Sequence, residues 1–543
     1  AKGGGVFHTN PKPVSIPQTP YLRQYMDEFS NTLAFLEEDA DENHEDVESL
    51  GFAENLVGTD KVLKELRQDN DNKVNQREFV RARLFDMLVG DWDRHEGQWR
   101  WKEEKTDSGK VYIPVPEDRD QVFFKADGII PWLATRKWGV RNVQNFGHDF
   151  PDIVGLNLSA LTIDRSFTPA VTRQDWIRIA EEIKSGVTDQ VIEEAINQWP
   201  EEVRAISGED IKAKLRSRRN KLTQAAEAYY EHISRMVDVA GSDKHEHFVV
   251  NRVNDEETHL TVYKINKEGV LRDTLYKRTF YTSETKELRL YGQRGKDKFE
   301  VNGDVSKGIV VRIIGGNDED VITDNSRVAG FKRHTIVYDT KEGNVFNFGP
   351  ETRDETSISP DVNFYDRDNH KLPYLGPRLS LEYNVDDGLF VGAGILARTH
   401  KFRKSPYATE HLLEGNYAFY TNSFNVRYTG DVRQVFGNWN IGLNAAIQGP
   451  QYQRTFYGYG NDTRQQDGED DSFYRVRFKR VNVGATLNNN LAPFFKVGIG
   501  PTYDRFRVVN SDQETFLVNE ALSGRMEPGT YDVERAASNR STM

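Results

Sequence analysis

Trp439-Asn440-Ile441-Gly442-Leu443-Asn444-Ala445-Ala446-Ile447-Gln448 decides the fold of the C-terminal third. Trp439, Ile441, Leu443, Ala445 and Ile447 alternate with Asn440, Gly442, Asn444 and Gln448, the period of two that a strand imposes. Upstream, Phe424, Val426 and Tyr428 alternate with Asn425, Arg427 and Thr429. Downstream, Tyr474, Val476 and Phe478 oppose Arg475, Arg477 and Lys479, and Val481, Val483, Ala485 and Leu487 carry the pattern on. These runs are about ten residues or more, against about six for strands of a soluble sandwich, and one face is polar or charged throughout. The pattern predicts a lipid-facing barrel wall of about seven strands, beginning near residue 377 and cut short at Met543.

Working back along the chain, the period of two persists between residues 248 and 338 and contains an internal repeat. Leu288-Arg289-Leu290-Tyr291-Gly292-Gln293-Arg294-Gly295-Lys296-Asp297-Lys298-Phe299 matches Val311-Arg312-Ile313-Ile314-Gly315-Gly316-Asn317-Asp318-Glu319-Asp320-Val321-Ile322. Each copy is a strand followed by a Gly/Asp turn, the unit of a small β-solenoid or of stacked hairpins. Residues 172–239 read as three amphipathic helices, starting near Asp175, Val187 and Gly208, and the basic stretch 212–221 reads as a solvated helix face. Residues 1–168 are mixed α/β. Thr59 reads as the N-cap of a helix over 61–67 and Gln76–Val89 as a second helix, with Phe79, Ala82, Leu84, Phe85, Leu88 and Val89 on one broad face. A strand over 111–115 follows.

Composition narrows the classes. Against 72 Lys and Arg stand 85 Asp and Glu, a net charge of −13 that argues against a nucleic-acid partner. No run of about 18 apolar residues is present, which excludes a transmembrane helix but not a transmembrane barrel. With no cysteine in 543 residues, disulfides, thiol nucleophiles and cysteine-ligated zinc are excluded. The opening Ala1-Lys2-Gly3-Gly4-Gly5 has neither initiator Met nor apolar signal, and the chain reads as a piece of a longer protein.

Chemistry concentrates in two acidic loops, each at the end of an apolar element. The first is Gly90-Asp91-Trp92-Asp93-Arg94-His95-Glu96-Gly97-Gln98, delivered by the second helix. The second is Pro116-Glu117-Asp118-Arg119-Asp120-Gln121-Val122-Phe123, at the end of the strand. Paired acidic loops of this kind suit phosphoryl transfer, where one carboxylate orients the acceptor hydroxyl and another holds a divalent metal under the phosphates. Asp93-Arg94-His95-x-x-Gln98 resembles the catalytic loop Asp-Arg-His-x-x-(Asn/Glu) of atypical kinases of the secretory-pathway and spore-coat (CotH) type. The resemblance implies Asp93 as the catalytic Asp, Asp118 as principal metal ligand with Asp120 as a second candidate, and Gln98 on the metal side. It implies ATP with Mg2+ or Mn2+ as cofactor, bound by Gln98 and Asp118. The chain would then hold the mostly helical C-lobe, with the nucleotide-covering lobe ahead of Ala1, and would be inactive alone. Gly90-Asp91-Trp92-Asp93-Arg94 also approaches the Gly-Asp-x-x-Asp-Arg block of metallophosphoesterases, one residue short and without that family's flanking histidine blocks, so a two-metal site cannot be assembled.

The repeat turns are similar to calcium-binding Gly-Gly-x-Gly-x-Asp turns, which makes Asp318 and Asp320 candidates for Ca2+; plain β-turns with solvated acids are the alternative. Asp69-Asn70-Asp71-Asn72 reads as a polar turn, lacking the glycine and terminal glutamate of a calcium loop. Arg454-Thr455-Phe456-Tyr457-Gly458-Tyr459-Gly460-Asn461-Asp462-Thr463 resembles the Phe-x-Gly-x-Gly-Asn-x-Thr signature of the surface-antigen (D15-type) outer-membrane barrels. Together these readings describe a multidomain α+β envelope protein of the Gram-negative outer membrane. Its expected parts are a kinase-like C-lobe with helical bundle (1–245), a β-rich repeat spacer (246–345), a linker (346–376) and a partial antiparallel outer-membrane β-barrel (377–543). The expected partners are outer-membrane lipid and an envelope protein. A non-catalytic envelope binding or outer-membrane assembly protein is the competing expectation, and part of a metallophosphoesterase-type envelope protein is a second.

Overall fold

Strand outweighs helix, 38% to 27%, in a mixed α+β protein. The computed structural model describes residues 1–37, 43–458, 463–492, 494–509, 516–517, 519 and 538–542. The chain divides into two units, residues 1–136 with 140–367, and residues 137–139 with 368–543.

The first unit is organised on the helix Gln76–Val89. Asn75 caps its start by accepting from the Glu78 N–H at 3.1 Å, and Gly90, at φ +79°, turns the chain out at its end. Only a residue without Cβ takes that left-handed conformation freely, and a Cβ there would also lie 2.7 Å from the Phe146 ring. The helix buries Phe79 among Trp99, Trp101 and Phe167. Two of those rings belong to a four-stranded sheet ordered Leu56–Gly58, Trp99–Lys105, Lys110–Pro116, Lys73–Val74. Helices Arg173–Gly186 and Glu201–Ser234 pack on its other sides. Arg173–Gly186 opens with a reciprocal capping box between Thr172 and Asp175.

Three local expectations change. Thr59 lies inside the helix Thr59–Gln68, which Gly58 caps, because its hydroxyl is used elsewhere: it donates to Glu96 O and accepts from Trp101 Nε1. The basic stretch 212–221 is not simply solvated. Arg218 is buried, and its guanidinium donates to Met87 O and Leu88 O, closing the C-terminal end of Gln76–Val89. The long helix also stops at Ser234, and Met236–Ala240 becomes a strand paired in parallel with Glu287–Tyr291.

That strand begins the repeat module, a β-solenoid. One sheet stacks Met236–Ala240, Glu287–Tyr291, Val310–Ile314, Thr335–Tyr338 and Thr352–Asp354 in parallel. A second stacks Glu246–Arg252, Lys298–Asn302, Val321–Asp324 and Val345–Asn347 in parallel, and the antiparallel pair Glu257–Ile265 and Leu271–Tyr281 closes one end. The sequence repeat sets the register: Leu288 lies beside Val311 and Phe299 beside Ile322. Leu288, Leu290, Phe299, Val301, Val311, Ile313, Ile322 and Val337 fill the interior. The module therefore runs from Met236 to Asp354, past both expected boundaries, and takes in the start of the expected linker.

The second unit is one antiparallel sheet. Tyr374–Asn384, Gly388–Thr399, Thr409–Ala418, Ser423–Phe436, Trp439–Thr455, Arg475–Ala492 and Thr502–Val508 follow one another, Ser538–Thr542 pairs with the last, and Phe495–Ile499 adds to Arg475–Ala492. That is nine strands where about seven were expected, and no closed barrel forms among the described residues. The glycine-rich part of the surface-antigen-like motif, residues 459–462, lies outside the described residues.

The two faces of this sheet are unlike. Leu375, Leu379, Leu381 and Tyr383 are exposed, while their neighbours Ser380, Glu382 and Asn384 are half-buried. Along Thr409–Ala418, Leu413 and Tyr417 are exposed and Glu414 and Asn416 buried; along Ser423–Phe436, Phe424 and Val426 are exposed and Asn425 buried. The covered face combines cross-linked polar groups with an aromatic cluster of Phe390, Tyr452, Phe478 and Phe506. Tyr474 and Phe478, expected on the lipid-facing side, are buried instead, while Lys479 is exposed. Arg427 pairs with Glu414 and Glu382, Arg480 Nε reaches Asp504 Oδ1 at 2.9 Å, and Asn444 Nδ2 donates to Asn482 Oδ1 at 2.6 Å.

Candidate functional site

Gly90 releases the chain from the second helix into Asp91-Trp92-Asp93-Arg94, and the strand Lys110–Pro116 delivers the turn at Glu117 and Asp118 beside it. Arg94 fastens the two together. Wholly buried, it reaches Glu117 O and Asp118 O across the gap, donates to Gln98 Oε1 at 3.1 Å and Gln98 O at 2.9 Å, and lies over the Trp99 ring. Its charge is met by Asp86 at 3.3 Å and Asp91 at 3.5 Å. A guanidinium suits this role because its fork serves several acceptors at once.

The expected residues meet in part. Gln98 Nε2 donates to Asp118 Oδ2 at 3.3 Å, which brings the two loops into contact. Asp118 sits at φ +49°, a conformation an L-residue holds only against a cost, and such strain collects at functional turns. Partial burial, then the negative charges of Asp120, Glu37 and Asp93, raise its carboxyl, with Arg94 opposing. Asp93 and Asp120 are therefore within electrostatic reach of Asp118. Asp93 is half-buried, and its backbone N–H donates to Asp91 Oδ1 at 3.3 Å; Asp120 is exposed and accepts from Gln121 Nε2. Phe123, also at positive φ, anchors the second loop by packing on Phe146 and Trp199.

Gln98 departs from its expected part. It is buried, with Oε1 accepting from Arg94 and Nε2 donating to Asp118, so both ends of its amide serve the loop rather than a metal. Among the described residues no three His, Cys, Asp or Glu side chains are grouped to hold an ion. An ion arriving on a nucleotide needs less, since Mg2+ commonly takes one or two carboxylates and completes its shell with phosphates and water. Asp118 fits that requirement, and Gln98 does not.

Sequence reasoning missed what supports the site. Arg83 is fully buried, with Nε 2.7 Å from Asp164 Oδ1, Nη1 3.0 Å from Asp86 Oδ2 and Nη2 donating to Asn157 Oδ1. Tyr229 adds a 2.6 Å hydrogen bond to Asp164 Oδ2. Asp86 thus serves Arg83, Arg94 and Arg119, linking the helix interior to both loops. Burial raises the Asp91 carboxyl to about 6, with the Asp86 charge adding to the rise and Arg94 opposing it. The signal that could have revealed the network is the placement of Arg83 and Asp86 among the apolar residues of their helix.

Asp318 and Asp320 belong to the solenoid and face different surroundings. Asp318 is exposed and accepts from the Gly295 N–H at 2.9 Å, whereas Asp320 is buried and accepts from the Asp297 N–H at 2.8 Å. No family model matches this chain, and neither a curated protein nor a solved structure does.

Proposed function

We propose that the protein is anchored in an outer membrane of the Gram-negative type by the sheet of its second unit, and that its first unit is a kinase-like phosphotransfer module. The observation that carries the anchoring is the run of strands from Tyr374 to Phe436, where Leu379, Leu381, Tyr383, Leu413, Tyr417, Phe424 and Val426 are exposed and Glu382, Glu414, Asn416 and Asn425 are covered. A soluble sandwich buries its apolar face, while a membrane barrel turns it to lipid and keeps polar residues toward the lumen. Outer-membrane lipid is then the partner of the exposed face. The surface-antigen resemblance supports the same placement.

For the first unit, the contact between Gln98 and Asp118 and the nearness of Asp93 support the kinase-like assignment. Asp93 is the group that accepts or orients the acceptor hydroxyl, and Asp118, with Asp120 beside it, is the group for an Mg2+ or Mn2+ ion carried by ATP. The ion would neutralise phosphate charge there. In a protein extended upstream of Ala1 by about one domain of roughly 150 residues, so that it carries the nucleotide-covering lobe this reading requires, Asp118→Ala is expected to weaken binding of Mn2+ with ATP at least tenfold by electron paramagnetic resonance titration. Asp93→Ala is expected to leave that binding within about twofold, because Asp93 faces the acceptor. Binding unchanged in both variants would remove the phosphotransfer reading. A second reading, a non-catalytic envelope binding or assembly protein, is favoured by the engagement of both ends of Gln98, and unchanged binding would leave it standing.

A further inference from the structure

The solenoid carries a device that neither loop explains. Gly241, Gly292 and Gly315 stack in successive coils, each N–H donating to the residue before the next member: Gly241 to Tyr291 O, Gly292 to Ile314 O, Gly315 to Tyr338 O. The fourth position of this column is Asp339. Five residues on in each coil stands a polar side chain, Glu246, Asp297, Asp320 and then Asn344, forming a second column. The last three accept from the backbone of the coil before: Glu246 N donates to Asp297 Oδ1, Asp297 N to Asp320 Oδ1, and Asp320 N to Asn344 Oδ1, at 2.6–2.8 Å. One oxygen of Asp297 and of Asp320 is thereby used, and the other points over the glycine of its own coil. A Cβ at Gly292 would lie 2.5 Å from Asp297 Oδ2, and one at Gly315 would lie 2.7 Å from Asp320 Oδ2 and 2.0 Å from Asp339 Oδ2.

The glycines are thus required by carboxylates that occupy the space of their side chains. At the Glu246 end those oxygens are satisfied by Ser242 and Asn70. At the other end they are not. Asp297 Oδ2, Asp320 Oδ2 and Asp339 Oδ2 are buried without a hydrogen-bond partner, on side chains 0–1% exposed. Asn363, 8% exposed, donates from Nδ2 to Asp339 Oδ1 at 3.0 Å and to Gly316 O, and its own Oδ1 is buried without a hydrogen-bond partner. Buried acceptors without donors are costly, and adjacent carboxylates repel, so this arrangement asks for positive charge.

We infer that a hard divalent cation of the Ca2+ class binds over Gly315 between Asp320 Oδ2 and Asp339 Oδ2. The distances through Gly315 place the two carboxylate oxygens within about 5 Å of each other, a span one Ca2+ bridges with ligand distances of about 2.3–2.6 Å. Two carboxylates form an all-oxygen set, which selects a hard ion over zinc or copper. The ion ties the turn before Val321–Asp324 to the turn after Thr335–Tyr338 in the next coil, independently of the phosphotransfer reading.

Equilibrium dialysis of radioactive calcium against the full chain in detergent, paired with thermal unfolding, tests it. One Ca2+ per chain is expected, with binding weakened at least tenfold by Asp339→Asn and by Asp320→Asn and unchanged by Asp318→Asn, which alters only the exposed turn. Ca2+ is expected to raise the melting temperature of the wild type and not of Asp339→Asn. Two results would overturn the inference. One is loss of binding in Asp318→Asn with retention in Asp339→Asn, which places the ion at the surface turn. The other is no binding by the wild type at millimolar Ca2+, which leaves shared protons to satisfy the buried acids.

Discussion

Arg83→Met is expected to destabilise the first unit by about 3–5 kcal/mol, read as a lower midpoint in urea. The size follows from burial. Arg83 has no exposed surface, and its guanidinium is shared by Asp164, Asp86 and Asn157. Removing it strands a carboxylate in a dry interior, where the penalty for the uncompensated charge exceeds the worth of the pair. Replacing Asp164 together with Arg83 by apolar residues is expected to cost less than the sum of the single changes, because neither charge is then left alone. The pH dependence has a definite sign. Burial alone would raise the Asp86 carboxyl, but Arg94, Arg119 and Arg83 more than offset that and hold it below its ordinary value. A carboxyl so depressed contributes stability that is present at neutral pH and lost as pH falls below about 4. Since Asp86 also meets Arg94, acid should loosen the contact between the two loops before the helix itself unfolds.

Leu379→Arg is expected to have opposite effects in water and in lipid, which makes it the second informative substitution. Leu379 is 86% exposed at the middle of Tyr374–Asn384. On a soluble surface such a change stays within about 0.5 kcal/mol and improves solubility. At the midplane of a bilayer the same arginine costs about 2–4 kcal/mol. Folding into lipid vesicles should therefore be impaired by that amount, whereas Ser380→Arg, on the covered polar face, should be tolerated. Equal tolerance at both positions would argue that the apolar face does not meet lipid.

What could be read from the sequence depended on how local the deciding interaction is. The bounds of the helix Gln76–Val89 were legible to the residue, but the one broad apolar face expected of it is not observed, since every residue from Ala82 to Val89 is buried. The strands around Trp439 were legible because alternation needs no partner. Met236–Ala240 was not: it follows a helix directly, and its strand state depends on Glu287–Tyr291 far along the chain. The solenoid repeat showed in the two coils where glycine and aspartate recur. It stayed hidden where Glu246 replaces aspartate and Asp339 replaces glycine, because the geometry keeps the column while the residue type changes. At the site, the two acidic loops were legible because each is a polar run at the end of an apolar element. The occupation of Gln98 by Arg94 was not, since a motif names residues without saying which atoms the fold has already used.

The placement of the sheet can be tested most directly by lipid-borne quenching. The chain has no cysteine, so single cysteines introduced at positions 379–383 and 413–417 can each carry one fluorophore without background. After reconstitution into vesicles containing brominated acyl chains, labels at 379, 381, 383, 413 and 417 should be quenched, and those at 380, 382, 414 and 416 should not. Emission that is equally bright at every position, or quenching without a period of two, would contradict a membrane-embedded sheet.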